Sequence, residues 1–141
     1  MNSISVAQMM EDQHLQDMNP EVSSEAQITT ADINRPGIQL AGFFDYFAFE
    51  RIQIIGKVEH RYLQTLEAVT ARQRFDQLMS YPIPCLLISR GLELDPHLAA
   101  IAVTRQVKLL GSALNTTKLI SRLSNYLEYH LAETARMHGV L

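Results

Sequence analysis

A glycine followed by a lysine raises the first chemical question, because this pair can open a phosphate-binding loop. Gly56 and Lys57 follow an apolar, β-branched stretch and precede a helical pattern, as such a loop does. The loop also needs further glycines, so that backbone amides surround the phosphates, and a Ser or Thr after the lysine to hold magnesium. Val58 follows Lys57, and no second glycine precedes it. The pattern favours a plain turn over a nucleotide site.

Two arginines in turns are candidate contacts to an anion or a protein partner. Arg90 lies between Ser89 and Gly91, after a predicted buried strand, where α/β sheets usually place ligands. Arg35 stands beside Asn34 in a turn that continues into Pro36 and Gly37. A guanidinium can hold a phosphate or carboxylate with two hydrogen bonds. Ordinary turn structure, with Asp32 and Asn34 bonded to their own backbone, is favoured in both places.

Other reactive residue types lack the neighbours that chemistry requires. Cys85 lies in an apolar strand, where a thiol stays protonated and inert, so we predict a packing role. His14, His60, His97 and His130 have no Ser, Cys or acid at a spacing that defines a catalytic set. For the aromatic run of residues 43–49, core packing or a subunit interface is favoured over a platform that stacks nucleic-acid bases.

Composition limits the class of protein. The chain has 141 residues, 47% hydrophobic and 19% charged, which is typical of one soluble globular domain. A net charge of -3 gives no reason to expect nucleic acid as a partner, and no stretch approaches the roughly 20 apolar residues of a membrane span. One cysteine cannot form an internal disulfide, and residues 1–34 contain no Lys or Arg, unlike a secretory leader. A cytoplasmic location is expected.

Strand and helix patterns alternate along the chain. Ser5 is expected to cap a helix that runs to about Gln13, Asp95 with Pro96 to begin another, and Asn115 or Thr116 to begin the last and clearest one. Strands are predicted at residues 28–30, 51–55, 85–88 and 108–110, and further helices after Gly56 and around residues 75–79. The order predicts an α/β layered sandwich with a mostly parallel sheet flanked by helices.

Three segments together resemble a known family. DINRPGIQLAGFFDYFAFERIQIIGKVEH (residues 32–60), IPCLLISRGLE (83–93) and TTKLISRLSNYLEYHLAETARMHGVL (116–141) are similar to the amino-terminal half of bacterial HPr kinase/phosphorylase. The resemblance covers about residues 28–141 and leaves the acidic first 27 residues outside. It implies a fold similar to the amino-terminal domain of the Mur ligases.

The resemblance also implies an activity for the parent enzyme. Members phosphorylate a serine of the phosphocarrier HPr with ATP or pyrophosphate and magnesium, remove the phosphate by phosphorolysis, act in carbon catabolite repression, and form homohexamers. The family's catalytic histidine in HGVL falls on His138, and its other active-site residues lie beyond Leu141. We therefore expect no cofactor or metal in this chain, and no activity of the chain alone. A module that senses a small anion or binds a protein, through Arg35 and Arg90, is the alternative.

Two departures from the family pattern concern the end of the domain. Phe49 and Glu133 stand where the family usually has prolines. Without a proline at 133, the last helix is predicted to continue to about Arg136. We predict an amino-terminal domain over residues 1–131 and a linker with the first strand of a catalytic domain over 132–141.

Overall fold

The computed structural model describes residues 2–137 and places a five-stranded sheet between two layers of helices. The elements, in chain order, are β1 (Ile4–Ser5), α1 (Val6–Asp12), β2 (Gln16–Asp17), β3 (Gln27–Ile28), β4 (Ile33–Asn34), α2 (Gly37–Leu40), β5 (Ile52–Ile55), α3 (Lys57–Thr65), α4 (Ala68–Met79), β6 (Leu86–Ile88), α5 (Pro96–Thr104), β7 (Leu109–Gly111) and α6 (Thr116–Met137). This arrangement confirms the predicted α/β class with a mostly parallel sheet.

The strand order of the sheet is β2-β7-β6-β5-β4. Strands β4 to β7 are parallel and follow one another in sequence, with Ile54 opposite Leu87 and Leu87 opposite Leu110. Only β2, at the β7 edge, is antiparallel. Because each parallel strand is added on the same side of the previous one, right-handed crossovers place the connecting helices on one face.

Side chains of the central strands alternate between two hydrophobic cores. Ile55, Leu86, Ile88 and Leu109 pack with helices α2 to α5. Ile52, Ile54, Leu87 and Leu110 pack on the opposite face, against α1, β1, β3 and α6. Strands β5, β6 and β7 are buried along their whole length, as their continuous apolar runs require.

The helices with clear capping residues begin where the sequence predicts. The Asp95 side chain accepts a hydrogen bond from His97 N–H at 2.8 Å, and Pro96 occupies the first helical position of α5. Asn115 accepts from Lys118 N–H at 2.9 Å and caps α6. Ser5 caps α1 in the same way. Helix α6 buries Leu119, Leu123 and Leu127, spaced by four residues.

Helix α6 continues through Met137, as the absence of a proline at Glu133 predicts. The predicted boundary between residues 131 and 132 therefore falls inside a helix. Residues 138–141, predicted as the beginning of a strand, lie outside the described residues. A second domain beginning there stays a prediction.

The turn predicted around Asp32 to Gly37 is wrong in part. Ile33 and Asn34 form the edge strand β4, because they pair with Ile52 and Gln53 of β5. The Asn34 side chain donates a hydrogen bond to Gln53 Oε1 at 2.7 Å instead of bonding to its own backbone. Asp32 likewise faces Arg51, at 3.9 Å. A single helical turn, α2, then follows Pro36.

The amino-terminal segment is held to β7 by two buried polar side chains. Asn19 donates to Val107 O and accepts from Leu109 N–H, both at 2.9 Å, in the manner of a neighbouring strand. Lys108 is 2% exposed, and its ammonium contacts Asp17 at 2.6 Å and the carbonyl oxygens of Asn19 and Val22 at 3.0 and 2.9 Å. All three ammonium protons thus have acceptors, which is what burial of a lysine demands.

A second polar contact joins α1 to α6 on the surface. The Tyr126 hydroxyl donates to Asp12 Oδ2 at 2.5 Å, and Gln8 donates to Asp12 Oδ1 at 2.9 Å. The hydrogen bond from Tyr126 is the largest cause that lowers the pKa of Asp12. Burial of Tyr126 and its bond to Asp12 raise the pKa of the phenol.

We predict that Tyr126→Phe lowers the free energy of unfolding at pH 7 by about 1 kcal/mol or less, since the pair lies near the surface. The lowered pKa of Asp12 stabilises the fold above its unfolded value of about 4, and this stability is lost as the pH falls through the folded pKa. The difference between the variant and the parent should therefore shrink from pH 6 to pH 3 in urea titrations. Tyr129→Phe, on the same helix but 62% exposed, is the control. An equal loss at both pH values would contradict the role of Asp12.

Candidate functional site

Five residues meet where strands β4, β5 and β6 end, at the edge of the sheet where α/β proteins usually bind ligands. We call them the strand-end cluster: Arg35, Gly56, Glu59, Ser89 and Thr116. Arg35, Gly56 and Ser89 directly follow β4, β5 and β6. Glu59 lies in the first turn of α3, and Thr116 begins α6. The cluster includes the turns that the sequence selects as candidate anion sites.

The carboxylate of Glu59 occupies the amino end of α3. It is only 6% exposed, accepts from Gly56 N–H at 2.6 Å and pairs with the Arg35 guanidinium at 3.0 Å. Gly56 has no side chain to cap the helix. The Glu59 carboxylate, in the first turn, instead accepts the Gly56 N–H, which has no partner within the helix. Its negative charge lies at the positive end of the helix dipole, where a phosphate would otherwise bind.

Gly56 is required by close packing. A Cβ atom at this position would lie 2.5 Å from Thr116 Oγ1 and 2.7 Å from a terminal nitrogen of Arg35. The backbone of Gly56 is extended, with φ at -103°, so conformational freedom is not the reason for glycine. The turn after β5 thus has the geometry of a plain helix start, closed by a carboxylate, and offers no cradle for a phosphate.

Two buried hydroxyls join the end of β6 to the beginning of α6. Ser89 and Thr116 are 0% and 4% exposed, and their hydroxyl oxygens lie 2.7 Å apart. Ser89 Oγ also lies 3.4 Å from Ile55 O, so its single proton can be donated to that carbonyl while Ser89 Oγ accepts from the Thr116 hydroxyl. Within residues 2–137 no histidine is hydrogen-bonded to either hydroxyl, so neither has a base to activate it. Their contacts are those of a structural joint.

The predicted contact residues Arg35 and Arg90 differ in their surroundings. Arg35 is already paired with Glu59, and 39% of its side chain remains exposed. Arg90 is exposed in a turn with φ at 61°, while its backbone N–H donates to Leu114 O and that of Gly91 donates to Ser112 O, both at 2.8 Å. The turn therefore has a structural role, and an anion or partner on either arginine stays a prediction.

The predicted catalytic residue His138 lies outside the described residues. Of the other predictions, Cys85 is fully buried, and burial raises the pKa of its thiol to about 12, which agrees with a packing role. Within residues 2–137, no group of three or more His, Cys, Asp or Glu side chains is placed to hold a metal ion. In the same range, no helix has the length and apolar character to cross a bilayer.

The aromatic run divides into packed and exposed rings. Phe44 stacks on Tyr81 at 5.4 Å, and Phe47 meets the same ring edge-on at 5.0 Å. Phe47 is buried, which confirms packing for this part of the run. Phe43 and Tyr46 point to solvent, with 53% and 102% exposure. The predicted subunit interface is not tested by these positions.

Sequence reasoning missed Glu59 and Thr116. The signal for Glu59 was present, since Gly56 and Glu59 have the spacing of a helix cap and the acid that closes it. Thr116 had no such signal, because its neighbours Ser89 and Gly56 are 27 and 60 residues away in sequence.

Known proteins of one family match this chain over most or all of its length. The model of the family described as "HPr Serine kinase N terminus" matches residues 4–127. The chain is 57% identical over its full length to the HPr kinase/phosphorylase of Alkaliphilus metalliredigens, and 38% identical to that of Caldanaerobacter subterraneus, covering 46% of each relative. It thus spans about half the length of these relatives. Because the match begins at residue 4, the expectation that the first 27 residues lie outside the family is wrong.

Removing the Glu59 carboxylate should destabilise the domain. Glu59→Ala leaves the buried Gly56 N–H without an acceptor and Arg35 without its partner, and we expect a loss of about 3 kcal/mol in the free energy of unfolding. Glu59→Gln keeps an acceptor oxygen and should lose about 1 kcal/mol. Urea denaturation measures both, and equal losses would show that the hydrogen bond to Gly56 is not the cause.

Adding a methyl group at Gly56 should separate α6 from β5. We expect Gly56→Ala to lose about 2 kcal/mol or more, because Thr116 is too buried to move away. Gly37→Ala is the matched control, since the nearest atom to its added Cβ is 4.0 Å away and alanine favours α2. Denaturation curves in which the two variants behave alike would contradict the close-packing argument.

Proposed function

Because the chain belongs to the family of HPr serine kinase amino-terminal domains, we propose that it is the amino-terminal domain of an HPr kinase/phosphorylase. The observation that carries this proposal is the 57% identity over all 141 residues to a protein of that name. In such an enzyme, a serine of HPr receives phosphate from ATP or pyrophosphate and loses it again by phosphorolysis. The proposed setting is carbon catabolite repression.

We propose further that residues 2–137 contribute no catalytic group. The strand-end cluster supports this, because the helix end that could bind a phosphate already holds the Glu59 carboxylate. Phosphoryl transfer needs amides, a lysine and magnesium around the phosphates. At the α3 turn, a phosphate would have to displace the Glu59 carboxylate or be repelled by it, so ATP, pyrophosphate and magnesium are assigned to the other half of the enzyme.

Helix α6 is the proposed connection to that half. The family match ends at residue 127, whereas α6 continues for ten residues to Met137, a distance of about 15 Å. His138 follows the last described residue and is the proposed catalytic histidine. HPr as the substrate and a homohexameric assembly belong to the same proposal.

A chimera tests whether this chain serves as the domain of such an enzyme. The aligned 46% of the Alkaliphilus metalliredigens relative is replaced by residues 1–141, and phosphorylation of HPr is measured with ATP and magnesium. We expect activity within about tenfold of the relative, since 57% of the aligned positions are identical. The 141-residue chain alone should give no phosphoserine. A folded but inactive chimera, or activity of the chain alone, would overturn the proposal.

The role of His138 is measured in the same chimera. His138→Ala should reduce phosphorylation by about 100-fold or more if the histidine acts in general acid or base catalysis. His14→Asn is the control. His14 is exposed in the turn that follows α1, and its positive φ is one that asparagine tolerates. Equal activity of the two variants would remove His138 from the catalytic set.

A further inference from the structure

A cavity of about 750 Å³ lies beside the strand-end cluster. It opens between the helices that follow β5 and the loop that follows β6, and residues from α3, α4 and α5 line it. Its volume lies in the range of small-molecule sites, about 300 to 1,000 Å³. Its place near the carboxyl ends of parallel strands is also where α/β proteins bind ligands.

One side of the cavity is apolar. Leu63, Ala71, Leu94 and Leu98 line it and belong to the hydrophobic core, with 5 to 9% exposure each. Leu66 and Leu92 extend this surface toward solvent. A ring or short aliphatic chain placed here would be removed from water, at a gain of about 25 cal/mol for each Å² of apolar surface that is covered.

Arg72 supplies a charge that the protein does not neutralise. It lines the cavity from the second turn of α4 and is half-buried. Within residues 2–137, its guanidinium makes no hydrogen bond and no ion pair, unlike Arg35, Arg74 and Arg105. A guanidinium that is partly removed from water and lacks a partner favours a carboxylate or phosphate, which it can hold with two hydrogen bonds.

The other titratable groups of the lining are His60, His97, Glu93 and Asp95. The His60 Nε2 atom lies 2.8 Å from Glu93 O, so the ring is oriented by the backbone. Asp95 accepts the N–H of His97 and is committed to the α5 cap. Glu93 is exposed, and its carboxylate disfavours a polyanion. The charges of the lining therefore suit a ligand with one negatively charged group, placed at Arg72.

We propose that this cavity binds a small organic anion, with its apolar body against the leucines and a single carboxylate or phosphate on Arg72. The proposed site neither depends on the kinase assignment nor uses the strand-end cluster. It differs from the sequence-based candidates, because neither Arg35 nor Arg90 lines the cavity.

The test is a titration of the 141-residue chain, followed by amide chemical shifts. The probes are benzoate and phenyl phosphate, which share a ring and differ in the anion, and benzyl alcohol, which has the ring without charge. We expect saturable shifts at residues 60–72 and 91–98 for both anions, with dissociation constants on the order of 1 mM. The tighter of the two anions identifies the preferred head group. Benzyl alcohol should bind more weakly by on the order of tenfold.

Arg72→Gln should weaken both anions by on the order of tenfold while leaving benzyl alcohol unchanged. Arg122→Gln is the matched control, because Arg122 is an exposed arginine of α6, on the opposite face of the sheet. If Arg72→Gln fails to fold, the comparison of the anions with benzyl alcohol still decides the question. The proposal is overturned if benzyl alcohol binds as tightly as the anions. No saturable shift at the cavity up to about 20 mM, or an unchanged affinity in folded Arg72→Gln, would also overturn it.

Discussion

The sheet must be covered on both faces, and this constraint places every other element. Strands β5, β6 and β7 have no solvent-facing side, because their residues are apolar at successive positions. Right-handed crossovers commit α2 to α5 to one face. The opposite face is left for the first 28 residues and for α6, which is why an acidic segment with little regular structure belongs to the folded domain.

The same constraint determines what the edge of the sheet can do. Covering the second face brings the beginning of α6 against Gly56 and Ser89, at distances that leave no room for a ligand. The buried carboxylate of Glu59, paired with the partly exposed Arg35, then closes the remaining helix end. A cavity with space for a ligand lies to the side, between α3, α4 and α5.

Local signals in the sequence predicted much of this fold. Asp95 with Pro96 and Asn115 specify the beginnings of their helices through contacts within a few residues, and the leucines of α6 are recognised by their spacing of four, so these helices could be found without a structure. The edge strands β2 and β4 could not be found in this way, because each has two residues and depends on pairing with β7 or β5. At the site, the plain turn after β5 was predicted because no second glycine precedes Lys57 and no Ser or Thr follows it. The position of Thr116 and the cavity could not be predicted, because both depend on contacts between distant segments. Arg72 lay in an ordinary helical pattern and carried no signal.

The contacts of Lys108 and Asn19 also affect the order in which the chain can fold. They join residues separated by 86 to 91 positions, so they cannot form until β7 has left the ribosome. Until then, the core that includes Cys85 and Leu87 lacks Leu110, although the amino-terminal segment that covers it was synthesised first. Contacts of such long sequence separation slow folding, because the loop entropy is lost before the contact forms. Docking of residues 17–22 beside β7 is therefore a late step in synthesis.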